Sequence, residues 1–260
     1  MPDVFRQIIE EQVKVFNEGV SITDQSKIPD TTRIPIENPK HWLKIPDVIC
    51  IFVDMKGSTQ FSASSHSKTT ARAYQLFTGT AVKIFDEFES PYIDVRGDGV
   101  LALFNSDQSY RAIAAVITFK TFAREVFEKK IKDIGEYTVG AHIGIDKNTI
   151  LVRKIGLKRV EGRSDRQNEV WAGRPVNMAA KLAALGEINE LWVSDRFYKN
   201  INNDLVRKSC GCPDGKKVDL WDEADLTDDE RFDFDKAYIL KSVWCSKHGK
   251  EYCQEILKLD

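Results

Sequence analysis

"YIDVRGDGVLALF", residues 92–104, decides how this chain folds. Two runs rich in apolar residues flank a Gly-Asp-Gly turn, which is a hairpin signal and makes the two strands antiparallel neighbours. Working outward on the N-terminal side, "TARAYQLFTGTAVKIFDEF" (70–88) sets Ala73, Leu76, Phe77, Ala81, Ile84, Phe85 and Phe88 on one helical face. Before it, "VICIFVDMKGST" (48–59) reads as an apolar strand, Val48 to Val53, that ends on Asp54 and breaks at Gly57. On the C-terminal side come a helix, "SYRAIAAVITFKTFAREVFEKKI", and a strand, "YTVGAHIGID". A charged stretch, "RKIGLKRVEGRSDRQNEVW", precedes a helix "RPVNMAAKLAALG" and a strand "ELWVSD". The order is strand, helix, hairpin, helix, strand, helix, strand. It predicts an α+β domain in which helices cover an antiparallel sheet, with the ferredoxin-like βαββαβ arrangement as the simplest form.

Around this domain, predicted at 47–204, lie two appendages. Residues 1–46 comprise a short amphipathic helix, with Val4, Ile8, Ile9, Val13 and Phe16 at helical spacing, and an arm with four prolines that reads as extended chain. Residues 205–260 hold four of the five cysteines. The 260 residues are 42% hydrophobic with a net charge of −2, enough for one good core and too nearly neutral for whole-molecule attraction to nucleic acid or an anionic membrane. Neither is expected as a partner. No run reaches the roughly 18 to 20 apolar residues of a membrane span, and the charged N-terminus does not resemble a signal peptide, so a cytoplasmic protein is expected. Odd cysteine number without a secretory signal argues for thiols or a metal site over disulfides.

Asp54 ends one strand and Asp98 sits in the hairpin turn, where Gly97 and Gly99 let the backbone bend toward a ligand. Either carboxylate alone reads as an ordinary turn or cap residue. Brought together by neighbouring strands, they suit Mg²⁺ or Mn²⁺, hard cations that take one or two carboxylates and leave positions for substrate phosphates. Gly57, Ser58 and Thr59 would open the next helix, where N–H groups can meet a phosphate. Asn177 and Lys181, four residues apart, share a helical face that can present an amide and a cation together.

In order and approximate spacing, "FVDMKGST", "RGDGVLALF" and "GRPVNMAAKL" resemble the motifs of class III nucleotidyl cyclases over about residues 46 to 200. The resemblance implies that Asp54, Asp98 and the Met55 carbonyl hold two divalent metal ions. It implies that Asn177 orients the ribose and that Lys181 stabilises phosphate charge where the family usually has arginine. Lysine keeps the charge but loses the bidentate fork, with Arg174 a nearby second cation. Family members are head-to-tail dimers whose sites combine the aspartates of one subunit with the asparagine helix of the other, so a homodimer is expected. The reaction implied is attack of the ribose 3′-oxygen on the α-phosphorus with loss of pyrophosphate, which needs no protein nucleophile and accords with only four histidines.

For the base, adenylate cyclases of the family place lysine four residues before the second metal aspartate and aspartate seven before the asparagine. Asp94 and Val170 stand there in this chain. A carboxylate at the first position resembles guanylate cyclases, and it would equally accept the imide N–H of uracil or the amino group of cytosine. In size and in its "NMAAKLA" helix the chain is similar to the bacterial pyrimidine cyclases of the Pycsar antiphage system. UTP is the expected substrate, then CTP, then GTP, with a separate effector reading the cyclic product. Competing readings are a cyclase-like domain that only senses nucleotide or dimerises, and a metal-dependent phosphodiesterase or nuclease.

Cys210 and Cys212 of "CGCPDGKK" and Cys245, His248 and Cys253 of "WCSKHGKEYC" could supply four ligands to a Zn²⁺ ion, although C-x-C is tighter than the usual C-x-x-C. The alternative is a group of reduced thiols. Between them, "LWDEADLTDDERFDFDKAY" is acidic and is expected as solvated surface or partner contact.

Overall fold

The structure is a computed structural model that describes residues 2–34, 38, 40–157 and 166–260. Helix α1 (Asp3–Asn17) is followed by β1 (Ser21–Asp24) and a 3₁₀ turn (Thr31–Arg33). Strand β2 (His41–Lys56) starts seven residues before the expected Val48 and crosses the boundary placed at residue 46. Its first half pairs with β1 in parallel, Ser21 opposite His41 through Asp24 opposite Lys44, so part of the arm is a strand. All four β1 residues are exposed, which is why no hydrophobic pattern announced it.

A bulge between Ile45 and Val48 interrupts β2, with Asp47 left-handed at φ +52°. Pro46 has no N–H to give a ladder and is tolerated at such a break. The extra residue switches which positions face each side of the sheet. Leu43, Ile45, Val48 and Cys50 pack on one side, whereas Ile49, Ile51, Val53 and Met55 pack on the other. Asp54 therefore follows Cys50 and Phe52 toward the first side.

After β2 come α2 (Ser58–Ser64), α3 (Ser67–Glu87), β3 (Tyr92–Arg96), β4 (Gly99–Phe104) and α4 (Ser109–Phe122). A π turn (Ala123–Phe127) joins α4 to α5 (Glu128–Lys132), and β5 (Gly140–Leu157) closes the βαββαβ unit. In the sheet these strands lie β3-β4-β2-β5, all antiparallel, as the hairpin requires. One face of the sheet carries the main core, where Phe77 of α3 meets Phe119 of α4 edge to face at 5.2 Å. Beyond β5 the chain adds β6 (Arg166–Ala172), α6 (Arg174–Leu185), β7 (Glu190–Ser194), α7 (Asp195–Tyr198) and α8 (Asp204–Arg207). The stretch read as merely charged thus contains the end of β5 and most of β6, which pair antiparallel.

Helix α6 lies on the opposite face, over β5 and β2. Gly144 makes that possible: a Cβ there would stand 2.0 Å from the Ala179 carbonyl oxygen and 2.6 Å from the Ala183 nitrogen. The last segment is more than an appendage. Its β8 (Trp221–Asp225) and β9 (Lys236–Leu240) extend the main sheet beyond β7, and α9 (Gly249–Ile256) buries Ile256 in the main core. Two further ties fasten it to α4. Asp260 caps that helix, accepting from the Tyr110 and Arg111 N–H groups at 2.8 and 2.6 Å, and Trp244 Nε1 donates to Thr118 Oγ1 at 2.9 Å. Among the described residues no helix is long and apolar enough to cross a membrane.

Candidate active site

Asp54 stands one step beyond the Val53–Val100 pair, which sets it beside Gly99 and the hairpin turn holding Asp98. A Cβ on Gly99 would meet Asp54 Oδ1 at 3.4 Å, so the carboxylate lies directly over the start of β4. Burial and the charge of Asp98 push the Asp54 carboxyl above the usual range, and the Met55 N–H opposes them. Two oxygen-donor carboxylates close enough to repel one another are a fit for a hard divalent cation, which would relieve that repulsion. Met55 is 1% exposed and its side chain packs into the main core, so its backbone carbonyl is the one oxygen it could offer such a site.

Gly57 turns the chain at φ +83°, and a Cβ there would clash with the Thr138 carbonyl oxygen at 2.4 Å. Helix α2 opens at Ser58 as expected, with Ser58 half-buried and Thr59 exposed.

Asp94 shares the sheet face of Asp54, because Phe52 pairs with Leu101 and Leu101 with Asp94. Its carboxylate accepts from Arg96 Nε at 2.7 Å, a partner two residues along the same strand. Tyr92, also on this face, packs against Trp171 of β6 at 4.6 Å between ring centroids, and burial pushes its phenol up to about 12. The side chain of Val170, beside Trp171, offers no polar group.

On α6, Asn177 is exposed, and Lys181 Nζ donates to the Arg231 carbonyl oxygen at 2.8 Å. Arg174, the expected second cation, is engaged by Asp233 at 3.0 Å, which also receives Arg196 at 3.1 Å. These contacts correct the view of the acidic segment as free surface: part of it folds over α6, with Leu226 and Ala237 buried against Leu182. They were missed because their partners lie about fifty residues away in sequence.

Cys210, Cys212, Cys245 and His248 converge, with one ligand atom from each lying within 4.8 Å of the others. Cys253 is left out. It sits half-buried on α9 against the main core, and burial pushes its thiol up.

The sequence model of the Adenylate and Guanylate cyclase catalytic domain matches residues 43–218. The chain belongs to this family, the class III nucleotidyl cyclases, and is a nucleotide cyclase. Among its relatives, a uridylate cyclase from Propioniciclava tarda is 35% identical over 86% of this chain and 73% of its own length. Another uridylate cyclase, from Micromonospora echinofusca, is 34% identical over 91% of this chain and 77% of its own. Among solved structures, the adenylyl cyclase CyaB from P. aeruginosa has the same fold, with TM-score 0.58 and 17% identity over 76% of this chain and 95% of its own.

Proposed function

We propose that this protein is a uridylate cyclase that converts UTP to 3′,5′-cyclic UMP and pyrophosphate as a homodimer with composite sites. The observation that carries the base assignment is the Asp94 carboxylate, on the face of the sheet that also bears Asp54. The relatives named uridylate cyclase support the same choice.

On this reading Asp54, Asp98 and the Met55 carbonyl hold Mg²⁺ or Mn²⁺. When bound, two such ions lower the pKa of the ribose 3′-hydroxyl and neutralise charge on the leaving pyrophosphate. Asn177 of the partner helix orients the ribose through its amide. Lys181 gives one N–H to the Arg231 carbonyl and keeps two for phosphate oxygens. Asp94 accepts the uracil imide N–H, and its bond to Arg96 holds the carboxylate in place. Gly57, Ser58 and Thr59 line the approach at the start of α2. The product would act as a messenger in antiphage defence, read by a separate effector, a role supported by the resemblance to the Pycsar enzymes.

Purified protein with Mn²⁺ and each of the four nucleoside triphosphates, followed by chromatography of the products, tests this. Cyclic UMP should dominate. A different cyclic nucleotide would overturn the base assignment, and no product from any of the four would favour a domain that only senses nucleotide.

A further inference from the structure

We propose that Cys210, Cys212, Cys245 and His248 bind one Zn²⁺ tetrahedrally, as a structural clamp for the C-terminal segment of the molecule. The spacing of the donor atoms carries this. Zn–S bonds of about 2.3 Å and Zn–N bonds of about 2.0 to 2.1 Å in a tetrahedron of three sulfurs and one nitrogen separate the ligand atoms by roughly 3.5 to 3.8 Å. His248 Nδ1 lies 3.3 Å from Cys212 Sγ and 3.9 Å from Cys245 Sγ, and all four donor atoms fall within 4.8 Å of one another. Small side-chain movements close the set. Three thiolates and an imidazole are soft and borderline donors, which select Zn²⁺ over the hard cations suited to Asp54 and Asp98.

The surrounding chain needs such a clamp. The ligands come from two segments, one after α8 and one before α9, in which the regular structure amounts to an isolated bridge between Lys208 and Asp219. Between these segments runs the β8–β9 hairpin, the outer edge of the sheet. All five cysteines are free thiols, so no disulfide secures the region. An ion joining the two segments would fix both the base of that hairpin and the start of α9. The hairpin's connection also carries the Arg231 carbonyl that receives Lys181.

Full-length protein expressed in zinc-supplemented medium and purified without chelator should contain about one zinc per chain. Replacing that zinc with Co²⁺ should give the visible absorption of a tetrahedral thiolate site. Cys212→Ser should weaken zinc binding by at least about tenfold, whereas Cys253→Ser should leave it intact. Zinc well below one per chain after loading with Zn²⁺ would overturn the proposal, as would a cobalt spectrum without thiolate bands. So would loss of metal from Cys253→Ser with retention in Cys212→Ser. The cobalt spectrum of the unmodified protein decides the matter even where Cys212→Ser fails to fold.

Discussion

Asp94 accepts from Arg96, and on the proposed reading its remaining acceptor capacity would serve the base. Replacing it with asparagine substitutes a group that both donates and accepts, which suits cytosine better than uracil. A hydrogen bond to a charged acceptor contributes about 1.5 to 3 kcal/mol, or roughly one to two decades in relative kcat/KM. Competition of UTP against CTP in wild type and Asp94→Asn should therefore show the UTP preference fall by about ten- to a hundredfold. An unchanged ratio would remove Asp94 from base recognition. The carboxylates themselves were legible as charges where an apolar strand stops and a turn begins. The Arg96 contact follows from the two-residue period of a strand, so "DVR" already held it. The tethering of Lys181 and Arg174 was not legible, because their partners sit in a segment whose acidity masked its apolar anchors, Leu226 and Ala237.

Helix α4 illustrates what periodicity shows and what it hides. Its apolar run marked it as a core helix, and nine of its residues are buried. One of them is Lys120, whose Nζ donates to the Lys241 and Ser242 carbonyl oxygens at 2.7 and 2.6 Å. Those acceptors lie more than a hundred residues away, so the sequence around Lys120 gives no hint of them. Burial, and secondarily the charge of Arg124, push its ammonium from 10.5 down to about 7. The folded pKa lies below the unfolded one, so between about 7 and 10.5 the unfolded chain holds the extra proton and stability rises with pH. Lys120→Met should flatten that slope in denaturation measured from pH 6 to 10. It should also cost about 1 to 3 kcal/mol by leaving two carbonyls without a donor. A slope equal to wild type would mean that Lys120 titrates normally. The βαββαβ unit was legible because its strands and helices bury regular apolar faces. Strands β1 and β8 were not, since β1 is exposed throughout and β8, "WDEAD", is mostly charged.

At the scale of the whole molecule, the sheet face bearing Asp54 and Asp94 is only partly covered by α6, leaving Phe52, Leu101, Trp171 and Val176 half-buried around it. A second subunit seated there would complete the cover and bring its own Asn177 to the aspartates. Asp98→Ala and Asn177→Ala should each be inactive, and mixing them should restore activity, because one of the two sites in a mixed dimer is intact. With random subunit exchange in equal amounts, half of the dimers are mixed and each has one working site, so about a quarter of wild-type turnover is expected. No recovery after demonstrated exchange would place both groups in one subunit. The contact of Gly144 with Ala179 then has a mechanical consequence. A helix seated backbone to backbone on its sheet resists sliding, which holds the aspartates and the asparagine of one chain at a set spacing. In the proposed dimer the angle between the two subunits would then be the adjustable quantity, so a signal that lowers turnover would act by turning one subunit against the other.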